Sequence, residues 1–240
     1  MVTQEVEVGT LYGVGVGPGD PELLTIKAYK YLRQCPVIAF PQRREGSKSY
    51  ALEIAELYVN STEKTMLGLI FPMTTNPDVL RQQWQQTVDS LWEHLRLGLD
   101  VAFVTEGDPM MYSTFIHMSR LVKQRHPQVQ VRTIPGVSSI NGAASAFDVP
   151  LADGNQTIAI VPATGDVEKT RKMLEDHDCV VFIKVAKVLD WMIELLEDMG
   201  LLDKAMVGTR VTGKEEVLWH NVRELYGVDA NYMTLMVVKK

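Results

Sequence analysis

What the sequence has least of narrows it first. Only two cysteines occur in 240 residues, Cys35 and Cys179, each in or beside an apolar strand-like run, CPVIAF and CVVFIKV. So distant a pair in such settings reads as reduced, buried thiols rather than a disulfide framework. The five histidines, at positions 94, 117, 126, 177 and 220, show no metal-ligand spacing among themselves or with cysteine, so no metal ligands are expected. No uninterrupted apolar run reaches the roughly 18 residues of a membrane helix. The N-terminal MVTQEVEVGT has no basic stretch leading into an apolar one. The chain is therefore expected in the cytoplasm, without membrane contact. Cations are also short: 24 Lys and Arg against 30 Asp and Glu leave a net charge of −6, and no broad basic face for nucleic acid. Any anionic ligand must be met by local cations.

What is present is an ordinary globular composition, 46% hydrophobic and 22% charged, enough for one large or two modest domains. In the first half, Val- and Ile-rich runs alternate with helical patterns: TLYGVGVG before a helix from Pro21, PVIAFP before a helix near Tyr50, GLDVAFVT before a helix from Met111. That alternation predicts a largely parallel sheet flanked by helices. Leu80, Trp84, Val88, Leu91, Trp92 and Leu95 recur at three and four, marking an amphipathic helix that Gly98 stops. After KQRHPQVQVRTIPG the strand-like runs QTIAIVPA, CVVFIKV, KAMVGTRV, EEVLWHNV and YMTLMVVKK enclose only two clear helices. A mixed, more antiparallel second half follows, with a boundary near residues 125–135, giving an N-terminal domain over 1–128 and a C-terminal domain over 129–240.

The stretch LYGVGVGPGDPELL raises the question of a phosphate cradle. Counted from Gly13 or Gly15, the last glycine position of a dinucleotide turn falls on Pro18 or Asp20, and the second strand ends in Phe40-Pro41-Gln42 without the carboxylate that would hold a ribose. No Gly-Lys-Ser/Thr follows either, and Asp20 with Glu22 at the helix start repels phosphate. The stretch reads as a tight turn, or as a place where a ligand without phosphates meets the backbone. A second Gly-Asp-Pro turn in VTEGDPMMYST and a Pro135-Gly136 leading into the small-residue segment GVSSINGAASAF also sit where strands end. Open parallel sheets bind ligands at such carboxyl ends.

These three segments, in this order and followed by a strand block with a Gly-Thr turn, resemble the tetrapyrrole methylase family over nearly the whole chain. FPMTT at 71–75 and VAFVTEGDPMMYSTF are similar to the branch that methylates carbon 20 of precorrin-2 or of its cobalt-loaded form. The resemblance implies an α/β fold of two domains with a ligand cleft between them, S-adenosyl-L-methionine as cofactor, a tetrapyrrole substrate and a homodimer. Residue by residue it implies cofactor contacts at Pro18, Glu106, Gly107, Asp108, Met111, Ser138, Ser139, Lys184, Gly208, Thr209, Met233, Thr234 and Leu235, with Lys184 contributing through its backbone. One departure stands out. Sirohaem-forming relatives have an aspartate, proposed as a general base, after the second strand, where this chain has Pro41.

Methyl transfer from a sulfonium is an in-line displacement, so positioning is the protein's main task. Attack by a meso carbon leaves positive charge on the macrocycle and a proton to remove. Asp108, Glu106 and Tyr112 are the catalytic candidates, each with the alternative of a loop cap or a core tyrosine. Ser113 and Thr114 are candidates to position the substrate. In QRREGSKSY, Arg43, Arg44 and Lys48 either form a solvated charge run or meet substrate carboxylates; Arg81, Arg210 and Lys214 are weaker candidates. A nicotinamide oxidoreductase and a non-catalytic nucleotide-binding module are the readings from other classes.

Overall fold

The computed structural model describes residues 7–240 except Met73 and Thr75, so those two positions of the FPMTT segment lie outside the described residues. Two compact units divide the chain, Met1–Ser138 and Ser139–Lys240. The division falls after the expected boundary at residue 128 because the strand Val131–Ile134 hydrogen-bonds to the first strand of the N-terminal sheet.

In the first unit β1 (Leu11–Gly15), α1 (Ile26–Gln34), β2 (Val37–Gln42), α2 (Tyr50–Ala55), β3 (Thr65–Ile70), α3 (Pro77–Leu95), β4 (Val101–Thr105), α4 (Thr114–Arg125) and β5 (Val131–Ile134) build a sheet of order β3-β2-β4-β1-β5. Every pairing in it is parallel. The central strands are apolar on both faces, as a parallel sheet covered on both sides requires. Tyr12, Val14, Ile38, Ala102 and Val104 pack with α1 and α2. Leu11, Val37, Ala39, Val101 and Phe103 pack with Val88 and Leu91 of α3 and Phe115 and Met118 of α4.

Local chemistry sets the helix ends. Asp20 caps only a single 3-10 turn, Pro21–Leu23, accepting from the Glu22 N–H at 2.8 Å; the α-helix starts later, at Ile26, with Thr25 as its N-cap. The helix expected from Met111 starts at Thr114, because Tyr112 sits at φ 51° and Ser113 caps the first turn. In α3 the expected stripe is observed: Val88, Leu91 and Leu95 are buried, Trp84 and Trp92 pack beside them, and Gly98 at φ 79° ends the run.

In the second unit α5 (Ser139–Phe147), β6 (Ile158–Pro162), α6 (Val167–Asp176), β7 (Cys179–Ile183), α7 (Leu189–Asp198), β8 (Ala205–Thr209), β9 (Val217–Trp219) and β10 (Thr234–Lys239) form a sheet of order β6-β7-β10-β8-β9. It is mixed: β6 and β7 are parallel, while β10 runs antiparallel to both β7 and β8. Strand alternation again separates two cores. Val180, Phe182, Met236 and Val238 meet Leu174 of α6 and Met192 and Leu196 of α7, whereas Val181, Leu235 and Val237 meet Ile140, Ala143 and Phe147 of α5. No helix among the described residues is long and apolar enough to cross a membrane.

Candidate functional site

In the first unit β4, β1 and β5 are neighbours and parallel, so the loops after them emerge side by side at one edge of the sheet. Beyond the ladder the first two loops bond to each other: Val16 N–H donates to Thr105 O at 3.0 Å, and Gly107 N–H to Gly17 O at 2.8 Å. Gly17 and Gly107 stand at φ 87° and 60°, which lets the chains turn into an antiparallel bridge on top of a parallel pair.

Contact between these loops is backbone on backbone. A Cβ on Gly15 would lie 2.5 Å from Gly107 O and 2.7 Å from Gly136 N; one on Gly136 would strike Gly107 O and lie 2.8 Å from Gly15 Cα. The glycines that the sequence offered as room for a ligand are thus also required for three loops to pack. Gly15, Gly17 and Gly136 are absent from the residue-by-residue expectations, although their spacing at strand ends carried the signal.

Asp108 closes the arrangement. Its Oδ1 accepts from Met110 N–H at 2.8 Å and its Oδ2 from Gly136 N–H at 3.0 Å, tying the second loop to the third. Both oxygens are engaged by backbone donors, which makes Asp108 a brace. Glu106 beside it is exposed, Gly107 half-buried and Pro18 buried. Met110, Met111 and Tyr112 are exposed at 58%, 40% and 45%, so the loop ends in a run of apolar surface. Tyr112 takes its positive φ without being glycine, a conformation that concentrates at functional sites.

Ser113 is buried; its hydroxyl caps α4, accepting from Phe115 N–H, and shares a 2.9 Å hydrogen bond with Thr105 Oγ1. The hydroxyl is thereby engaged at the helix start, while Thr114 is the first residue of α4 and half-buried. Ser138 and Ser139, both half-buried, follow Gly136 at the end of the first unit and the start of α5. Arg43, Arg44 and Lys48 lie in the loop after β2, folded around Ser47, whose hydroxyl accepts from the Arg43 and Arg44 N–H groups at 3.1 and 3.3 Å. All three cations are exposed, and none pairs with a described carboxylate.

The second unit gathers its own predicted residues at one end of its sheet. Leu235, early in β10, is in register with Gly208 of β8 on one side and Ile183 of β7 on the other, so Lys184, Gly208, Thr209 and Met233 to Leu235 are neighbours. Lys184 sits at φ 61° and ψ 36° immediately after β7, exposed, so its backbone turns sharply there. Thr234 Oγ1 donates to Asn231 O at 2.5 Å, which leaves Thr209 Oγ1 to donate across the 2.7 Å contact to Thr234. Both hydroxyl protons are thereby used inside the turn, and the half-buried Met233 accepts from Arg210 N–H at 3.0 Å. Arg210 itself pairs with Glu215, and Lys214 is exposed.

Burial pushes the Cys35 thiol up to about 12 and raises that of Cys179, so neither is a poised nucleophile. Among the described residues no three of His, Cys, Asp and Glu stand together as a metal cluster.

Glycine loops thus meet at adjacent parallel strand ends, braced through Asp108, with no carboxylate in Phe40-Pro41-Gln42 at the end of β2 and no Gly-Lys-Ser/Thr lysine after the first loop. The sequence matches the family Tetrapyrrole (Corrin/Porphyrin) Methylases over residues 10–225, and the chain belongs to that family. It is 31% identical over 234 residues to the Probable cobalt-precorrin-2 C(20)-methyltransferase of Methanocaldococcus jannaschii, covering 97% of each chain. It is also 31% identical over 241 residues to the Precorrin-2 C(20)-methyltransferase of Sinorhizobium sp, covering 97% of this chain and 96% of that one. In fold it is similar to the uroporphyrin-III C-methyl transferase from Thermus thermophilus complexed with S-adenosyl homocysteine, with TM-score 0.69, 22% identity and coverage of 97% of this chain and 98% of that one.

Proposed function

We propose that this protein transfers a methyl group from S-adenosyl-L-methionine to carbon 20 of precorrin-2 in cobalamin biosynthesis, with the cobalt-loaded macrocycle as the alternative acceptor. The observation that carries the reading is the triple-loop contact in the first unit, a backbone-walled site without phosphate-binding chemistry. Its polar groups suit an uncharged adenosine bearing a zwitterionic tail: peptide groups from Val16 to Pro18 and from Glu106 to Asp108 other than the Val16 and Gly107 N–H groups that join the loops, an exposed carboxylate at Glu106, and the thioether of Met111. Lys184, Gly208, Thr209 and Met233 to Leu235 offer the same kind of surface in the second unit, and Ser138 and Ser139 are further candidates at the end of the first unit and the start of the second. The Thr209 and Thr234 protons are engaged elsewhere, so this second set acts through its backbone and the face of Leu235.

When bound, the cofactor supplies an electrophilic sulfonium methyl. The chain's own work is to orient it and the acceptor carbon in line, an advantage of proximity that needs no covalent nucleophile. Glu106 is the carboxylate assigned to stabilise the cation that develops on the macrocycle and to receive the meso proton, with Tyr112 beside it; Asp108 positions the loop. Arg43, Arg44 and Lys48 meet substrate carboxylates, a role their lack of carboxylate partners supports. The protein acts as a homodimer in the cytoplasm in this reading.

Relatives named for the metal-free and for the cobalt-containing substrate stand at the same 31% identity, so resemblance does not choose between them. Incubation with methyl-labelled cofactor and each substrate separately does. The reading requires label in at least one extracted macrocycle, and no incorporation into either would end it.

A further inference from the structure

The first unit carries a second concave feature that the glycine loops do not use. Between α3 and α4 lies an open groove of about 470 Å³ lined by Arg81, Trp84, Gln85, His117, Arg120 and Arg125. That size falls within the range of small-molecule sites. Part of its wall is packed. The Trp84 indole packs edge-on against Phe71, with centroids 5.0 Å apart, and lies 5.7 Å from the His117 ring. Arg125 crosses between the helices, bonding Asp89 at 2.7 Å and Gln85 O at 3.2 Å.

The other two guanidiniums are not used in this way. Arg120 is exposed and pairs with no described carboxylate. Arg81 reaches Asp78 only at 3.8 Å, with both side chains largely in solvent, a pair of little energetic weight. Two available guanidiniums therefore flank an indole and an imidazole, on a chain whose net charge is −6. Guanidinium forks match carboxylate or phosphate oxygens, and indole and imidazole faces match a flat conjugated body.

We propose that the α3–α4 groove is a second ligand site, separate from the glycine loops, for a flat conjugated molecule bearing carboxylate or phosphate groups. The indole takes the ring plane, and Arg81 and Arg120 take the anionic groups.

The test is calorimetric titration of the full chain, saturated with S-adenosylhomocysteine, with two probes: uroporphyrin III, a conjugated octacarboxylate, and adenosine diphosphate. At least one probe should bind, and Arg120→Glu should weaken it by roughly tenfold or more, the scale of a lost charge-assisted contact. S-adenosylhomocysteine affinity should stay unchanged in that variant, and Arg43→Glu should leave the groove affinity intact. The probe that responds identifies the anion source, macrocyclic carboxylate or nucleotide phosphate. The proposal is overturned if neither probe binds, if Arg120→Glu changes nothing, or if only Arg43→Glu abolishes binding, which would assign the probe to the methyl-acceptor site. Methyl transfer is measured independently of these titrations, so the groove and the proposed activity can fail separately.

Discussion

The two sheets hold the chain together at their strand ends with different materials. In the first unit, parallel strands send three loops out together, and the loops touch through glycine backbone with one carboxylate as a brace. In the second, antiparallel strands bring a start and two ends together, and the shape is held by threonine hydroxyls and by non-glycine residues at positive φ: Lys184 at 61°, Arg210 at 48° and Thr212 at 68°. A parallel edge crowds main chains and so admits little beyond glycine, whereas a mixed edge leaves room for side chains to do the locking. The first site should therefore be intolerant of added atoms, and the second of lost hydrogen bonds.

The largest effect expected from this contrast is at Gly15. Alanine there puts a methyl 2.5 Å from Gly107 O, and since the obstacle is backbone, the loops must part. Gly15→Ala should cost about 3 kcal/mol of stability, the scale of core overpacking. S-adenosylhomocysteine binding should be lost in calorimetry; native affinity in that variant would break the comparison. Next comes Asp108→Asn, in which an amide NH₂ replaces one acceptor and leaves either the Met110 or the Gly136 N–H without a partner. A cost of about 2 kcal/mol is expected by urea unfolding, with cofactor affinity lowered and the pH profile of methyl transfer retained, because the residue positions the loop. A shifted profile would instead make it the proton acceptor.

In the second unit Thr209→Val removes the donor to Thr234 inside a buried turn and should cost about 1 kcal/mol. Cofactor affinity should change less than in the Asp108 variant. The smallest effect is at Lys184. Glycine relieves its left-handed backbone and should stabilise by up to about 1 kcal/mol, while Lys184→Ala should leave cofactor affinity unchanged if the contact is through the main chain.

A pH series sharpens the comparison from the first unit alone. His126 stacks on Trp92 at 4.1 Å with 10° between the planes, and its buried Nε2 has no hydrogen-bond partner among the described residues. Burial, and then neighbouring Arg125, hold its pKa below the usual 6.5. The folded ring is therefore neutral where the unfolded one gains a proton, so its contribution is complete above pH 6.5 and lost as pH falls through the lower folded value. The thermal midpoint should drop on acidification below 6.5, and His126→Phe should flatten that slope.

How much of this could be read beforehand followed burial. In the first sheet the interior strands β1, β2 and β4 were legible because they are continuous apolar runs. The edges β3 and β5 were not named, since TMLGLI and VRTI are largely exposed or half-buried. The same blindness moved the domain boundary, because β5 joins the first sheet through pairing with β1, and no local signal in VRTI announces that. Helix starts slipped for a different reason: Asp20-Pro21 and Met111-Tyr112 look like openings, but Thr25 and Ser113 carry the caps. At the site, the residue types and their order were legible. The reason for the glycines was not, because contact among three loops depends on strand order rather than on spacing along the chain.

The most direct test of the central claim is the carbon NMR spectrum of the product formed from metal-free or cobalt-loaded precorrin-2 with ¹³C-methyl-labelled S-adenosyl-L-methionine. The account predicts a single enriched methyl attached to the meso carbon at position 20. Enrichment on a pyrrole ring carbon, or in no macrocycle carbon at all, would contradict it.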